Sequence, residues 1–500
     1  MQIKFNKKQV VQAALLGALA AASSAQAATI VITSRDAAGV GFNDTTPVSP
    51  VGGNTGTTLG QQRMNVYRYV ADIWEKAIDT PVTITVNAGW EALTCTSTQA
   101  VLGSAGAWNI WHDFPGGAPG TWYPQALANK LAGVNLTDGI PDDGSGYGNV
   151  DIKTQFNVNL GNAGCLDNTP FYLGLDGNAG AKVNFVETLL HELGHGLGFS
   201  VLTVYTGSTT FAIGYRLNAA GSAYVQNGGL PSVWEQYMYD NTQGKTWLNM
   251  TSAQRGASAV NPLGLAWNGP NAVAGATLLS HQPAVKLAAP APGYSGFYAY
   301  GTASFGPAVS TGQSLGALAV VPADAVNGAG CLAFSPATTT AVAGKVAIID
   351  RGVCGFAVKA KNAQNAGAIG VIIANNAAGA APGLGGTDPT VVIPTISVSQ
   401  ADAVTLKASV PASVPYGSRS KPGVATATLD VNPAKIAGAD AAGRPLLYTP
   451  SPIAPGSSVS HWDVSAFPNL LMEPNINSDL TTILVPPKDL TLPLLKDIGW

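Results

Sequence analysis

Near residue 190 the chain reads His191-Glu192-Leu193-Gly194-His195, residue types and a spacing that suit metal-assisted hydrolysis. An α-helix brings residues four apart onto one face, so His191 and His195 would grip a single cation. Imidazole nitrogen is a favoured ligand for zinc, and a catalytic zinc keeps one position open for water. Glu192, next to the first ligand, would serve as general base while the metal acidifies the water and polarises a scissile carbonyl. With 5 His and 6 Glu in 500 residues, random placement would yield roughly six such motifs per ten thousand chains. The surrounding run 181–197 has a helical period, with Val183, Val186, Leu189 and Leu190 on its buried side.

Two histidines leave a catalytic zinc one protein ligand short. The other histidines are His112, His281 and His461, and Glu235 is a rival if a following helix supplies a carboxylate. Gly198 stands three residues past His195, where a glycine lets the chain turn sharply out of the helix. To this point the stretch resembles the metzincin group, whose pattern is H-E-x-x-H-x-x-G-x-x-H; the likeness breaks at the last position, Val201. Far downstream, Ser460-His461-Trp462-Asp463 is followed by Asn469-Leu470-Leu471-Met472-Glu473-Pro474, and the chain closes on Leu494-Leu495-Lys496-Asp497-Ile498-Gly499-Trp500. These segments resemble the leishmanolysin family, in which an insertion separates the helix from the third histidine and a methionine turn lies beneath the metal. The resemblance implies His461 as third ligand and Met472 as turn methionine, with 461 − 195 = 266 positions between the last two ligands. The chain departs from that family in showing no long propeptide with a zinc-capping cysteine, because Cys95 falls inside the folded region.

Several elements must position these residues. Thr29 to Ile32, Val82 to Val86 and Ile152 to Leu160 read as strands, and Asn65 to Ile78 has the apolar period of a helix. Residues 200–300 are rich in Gly, Asn and Ser and give no clear pattern. From Gly316 the texture changes: Gly344 to Asp350 reads as a buried strand, Lys359 to Gly367 as a helix, and Val371 to Asn375 as a second strand. With Cys354, Phe356 and Ile393-Pro394-Thr395-Ile396-Ser397, this stretch resembles a protease-associated (PA) domain over 316–421, which implies binding or positioning rather than chemistry. Leu490 to Ile498 is a terminal helix by pattern.

Composition narrows the function further. Lys4, Lys7 and Lys8, the apolar run Val10 to Ala22 and Ala25-Gln26-Ala27 follow the order of a signal peptide, so export to a secreted or periplasmic location, with cleavage after Ala27, is expected. No later stretch is apolar for long enough to span a membrane. A net charge of −3 gives no electrostatic reason to propose nucleic acid as a partner. The four cysteines, Cys95, Cys165, Cys331 and Cys354, form no C-x-x-C pair, so two disulfides are expected, with sequence position favouring Cys95–Cys165 and Cys331–Cys354. Asp138, Asp142, Asp143 and Asp151 lie among glycines and offer oxygen ligands for Ca2+, a weak signal beside the zinc motif.

The expected fold is α+β: a metzincin-like zinc peptidase domain, 28–300 and 430–500, split by an inserted α/β PA domain at 316–421. The expected activity is zinc-dependent endopeptidase action on protein or peptide substrates. An extracellular binding protein on an inactive metallopeptidase fold is the alternative, and a metal-dependent hydrolase of other bonds is a third reading.

Overall fold

The β-branched run after Ala28 forms β1 (Ile30–Ser34), and the next such run forms β2 (Ile84–Glu91). Between them α1 (Leu59–Ala77) starts on Thr58, whose side chain accepts the Gln61 N–H, and buries Val66, Tyr67, Val70 and Trp74. These elements belong to a computed structural model that describes residues 27–140, 148–203, 205–206, 211–212, 214–226, 228–322, 329–377, 381–411, 423–477 and 479–500. The proposed signal segment before Ala27 lies outside the described residues.

The chain divides into two compact units, one made of residues 1–278 and 438–500, the other of 279–437. In the first unit β1 and β2 pair in parallel, and β2 pairs in parallel with β4 (Ile152–Asn157). On the far side of β4 lies β3 (Gly103–Ala107), antiparallel, so the sheet order is β1-β2-β4-β3 with β3 at an edge. A short helix, α2 (Gln125–Ala132), follows β3. Tyr67 of α1 joins helix to sheet through a 2.8 Å hydroxyl bond to Thr154 of β4.

Packed beside the sheet is α3 (Phe185–Gly196), whose Asn184 cap accepts the Val186 N–H at 3.1 Å. It begins later than the periodicity predicts, because Val183–Asn184 pair with Phe171–Tyr172 as a two-residue ladder. Every residue of α3 is buried except Glu187. The Cys95–Cys165 disulfide ties the segment before β3 to the segment after β4, with S–S 2.03 Å.

The second unit is a closed barrel. Its order is β5 (His281–Ala288), β6 (Gly296–Thr302), β10 (Thr395–Val398), β9 (Gly370–Ala374), β8 (Val346–Asp350), β7 (Ser314–Val320) and β11 (Thr426–Ile436), which returns to β5. Strands β7, β8, β9 and β10 are parallel to one another. Two cores lie on opposite faces of its strands: Val285, Ile348, Ile372 and Leu429 pack together, while Ile349, Val371 and Ile373 pack with Ala360 and Ala363 of α4 (Phe356–Asn365). The Cys331–Cys354 disulfide lies within this unit, with S–S 2.00 Å.

The barrel reaches further in both directions than the sequence texture shows. β5 lies before residue 300 and β6 starts before it, and β11 runs past 430, because both sides of the PA-like stretch are needed to close the sheet. The unit begins and ends at one place, where the Ala437 N–H donates to Ser280 O at 2.9 Å.

Candidate metal centre

Three chain features bring histidines together. The first is α3, which sets His191 and His195 on one face. The second is the exit from α3: Gly198 has φ +117°, a conformation glycine adopts freely, and a β-carbon there would lie 2.9 Å from Pro124 Cγ. That turn brings the Phe199 carbonyl back to accept from His195 Nδ1 at 2.7 Å.

The third is the return of the chain after residue 437. Leu447 pairs with Trp462, the Tyr448 N–H donates to His461 O, and the Trp462 N–H donates to Met472 O at 2.8 Å. Val201, where the metzincin pattern would place its third histidine, donates its N–H to Ser460 Oγ at 3.1 Å. The position that broke the motif is thus hydrogen-bonded to the residue beside His461. The terminal helix, Thr491–Ile498, helps hold this arrangement, because Asp497 accepts Trp267 Nε1–H at 2.9 Å and the Asn271 N–H at 2.7 Å.

His195 Nε2 lies 3.1 Å from His191 Nε2 and 3.2 Å from His461 Nε2. On each ring the other nitrogen meets a backbone carbonyl: His191 Nδ1 at 2.7 Å from Leu471 O, His195 Nδ1 at Phe199 O, and His461 Nδ1 at 2.8 Å from Ser457 O. A carbonyl only accepts, so each Nδ1 carries the proton and each Nε2 presents a lone pair. All three rings are buried. Burial holds His191 down to about 4; burial with His191 alongside holds His195 down to about 3, and His461 is also lowered, by burial and by both neighbours. Three neutral imidazoles with lone pairs converging in a dry site repel one another unless a cation sits between them, so the donor set fits zinc. Among the described residues, no other group of His, Cys, Asp or Glu comes together in this way.

Glu192 points from the same helix toward β3, where it accepts the Ala105 N–H, and burial pushes its carboxyl up to about 8. Met472 is fully buried, and a β-carbon on Gly194 would lie 2.8 Å from its sulfur. Beside His195 lies a cavity of about 160 Å³ lined by Ala107, Ile110, Pro124, Val233 and Trp234 among others.

The remaining candidates fall elsewhere. Glu235 is fully buried but committed to Arg216, at 2.8 Å, and to Thr203. His112 bonds to Asp113 at 2.6 Å and to Ala219 O at 2.8 Å, and His281 is exposed on β5 of the other unit. Asp138 is exposed, whereas Asp151 is buried under β2, accepting the Thr85 N–H at 2.7 Å and Asn129 Nδ2–H at 2.8 Å. Asp142 and Asp143 lie outside the described residues. Sequence reading missed the carbonyls of Phe199, Ser457 and Leu471 and the amide of Ala105, since backbone groups carry no residue-type signal. Gly194 did carry one: a glycine inside a helix costs about 1 kcal/mol and asks for a packing reason.

Residues 316–406 match the family model of the PA domain. The second unit carries a PA domain. Among solved structures, a zinc aminopeptidase from Bacillus subtilis is 24% identical at TM-score 0.21, with 33% of this chain and 37% of that chain covered. An aminopeptidase from Aneurinibacillus sp. strain AM-1 is 24% identical at TM-score 0.18, covering 31% and 34%. The psychrophilic subtilisin-like protease Apa1 from Pseudoalteromonas sp. AS-11 is 20% identical at TM-score 0.21, also covering 31% and 34%. The chain therefore spans about a third of the length of these structures. Scores of that size leave the metal and peptide-bond chemistry to be argued from the residues themselves. No curated protein matches the chain.

Proposed function

We propose that the first unit is a metzincin-like, leishmanolysin-type zinc endopeptidase, in which His191, His195 and His461 hold the metal and Glu192 is the general base. The observation that carries this reading is the convergence of three unprotonated Nε2 atoms one residue away from a buried carboxyl. Bound zinc would supply Lewis acidity, acidifying a water and polarising the scissile carbonyl. Glu192, once ionised, would take a proton from the water whose oxygen bonds to the scissile carbon and pass it to the amine nitrogen as the C–N bond breaks. The backbone carbonyls of Leu471, Phe199 and Ser457 keep the three rings in the tautomer that binds metal.

The substrate side is supported by β3. Its outer edge has no strand partner among the described residues, and it runs past Glu192 at Ala105. A peptide adding to that edge would lie extended beside the triad. The cavity beside His195 is sized for one apolar side chain. The PA domain is assigned substrate or partner positioning, and the two disulfides agree with an exported protein in an oxidising compartment.

The test is denatured casein with the zinc-loaded chain, with and without a chelator, beside Glu192→Gln. The wild type should cut casein only without chelator, and the variant should keep its zinc while activity falls by at least about a thousandfold. Full activity in the variant would refute the base assignment, and a zinc-bound wild type that cuts nothing would favour a binding protein.

A further inference from the structure

We propose that the cavity at the N-terminal end of α3 receives a cationic side chain of the substrate, lysine or arginine, and that Glu187 is the residue that selects it. This deepens the peptidase reading and rests on it. The cavity measures about 890 Å³, in the range of ligand sites, and Leu102, Val183, Asn184, Glu187, Ile476 and Asn477 are among its lining residues.

Its location follows from the elements that build the metal centre. Glu187 precedes His191 by four residues on α3, so the two share a helix face one turn apart. Ile476 and Asn477, which also line it, follow Met472 by a few residues, and Leu102 leads directly into β3. A peptide lying along β3 across the triad would therefore bring a side chain next to the cut bond into this cavity.

Its chemistry follows from Glu187. In a helix whose other eleven residues are buried, this one is partly open, and it opens into the cavity. Among the described residues it has no ion-pair partner; Lys182 also lines the cavity but is exposed and does not pair with it. Burial, with Asp479 nearby, pushes its carboxyl up to about 7, against a hydrogen bond with Asn184. A half-buried carboxylate without a counter-charge is costly, and an arriving cation removes that cost. Leu102, Val183 and Ile476 suit the methylene stem that lysine and arginine carry behind their charge.

Glu187 also sits in the first turn of α3 beside its cap, a place where a carboxylate stabilises a helix without touching any ligand. The test separates the two roles. A peptide mixture cut by the zinc-loaded full-length chain locates the preferred position, and two peptides are then compared that differ there only as arginine and its neutral isostere citrulline. The wild type should favour arginine at least about tenfold in kcat/KM. Glu187→Gln should bring the two within about twofold, with the larger loss on the arginine peptide, and Glu187→Arg should turn the preference toward glutamate. Calorimetry of both peptides on Glu192→Gln should give the same preference without cleavage. A preference in binding with no cleavage by the wild type would sink the peptidase reading and leave the cationic pocket standing. Equal treatment of both peptides in both assays, or a Glu187→Gln variant that loses stability with its selectivity intact, would overturn the proposal.

Discussion

Met472 and Gly194 compete for the same space: a β-carbon on Gly194 would lie 2.8 Å from Met472 Sδ and 3.3 Å from its Cε. The glycine is therefore what allows Met472 to press against the helix between the two histidines. Met472 in turn holds the strand-like segment of His461, because its carbonyl accepts the Trp462 N–H.

Replacing Gly194 with Ala tests that contact. Its helix propensity alone would favour the change by about 1 kcal/mol, but overpacking a rigid, fully buried core costs about 1–3 kcal/mol. Net destabilisation in urea melts and weaker zinc retention are expected. A more stable variant with unchanged zinc affinity would show that the sulfur moves aside freely.

His461→Ala removes one of the three converging lone pairs. Metal analysis should find one zinc per wild-type chain and less than a tenth of that in the variant after dialysis at micromolar free zinc, with His112→Ala as a control that keeps full occupancy.

Zinc should also stabilise the fold. Ligand present at a thousandfold over its dissociation constant adds about 4 kcal/mol, so chelation should lower the melting temperature of the wild type and barely change that of His461→Ala. Equal shifts in both proteins would place the metal elsewhere.

Asp151 gives a pH signature away from the metal. Burial pushes its carboxyl up to about 6 from 3.8, so the folded state holds the proton more tightly than the unfolded chain. Its contribution is fully present below pH 3.8 and lost as the pH rises to about 6. The stability of the wild type relative to Asp151→Asn should therefore fall by up to about 3 kcal/mol across that window. Urea titrations at each pH read the difference, and a flat difference would refute the assignment.

The parts of this protein legible in its sequence are those fixed by local period. The spacing of His191, Glu192 and His195 needs only a helix, and β1 and β8 follow their apolar patterns within two residues, whereas α1 starts six residues before Asn65 and β2 ends five residues after Val86. Residues 216–267 stayed opaque because their strands are two or three residues long and their helices short, such as the 3-10 turn Val233–Tyr237 and the helix Ser252–Ser258, too short for any period. β5 contains Pro283 and an irregular in–out pattern, and it becomes a strand by pairing with β6 and with β11, the latter some 140 residues later. His461 came from family likeness alone, since its approach to His195 is a tertiary contact. Glu187 gave no signal at all: one acidic residue in a first helical turn looks like ordinary capping until the cavity around it is known.

The hydrogen bond between Ser280 and Ala437 carries an architectural consequence. A segment whose entrance and exit touch imposes almost no stretch on the chain that hosts it, so it can be lengthened, exchanged or cut out, and the gap closed by a few small residues. The long detour before His461 therefore need not be a long loop to close during folding: once the barrel has zipped β5 to β11, the histidine's segment leaves within a hydrogen bond of where the earlier segment stopped.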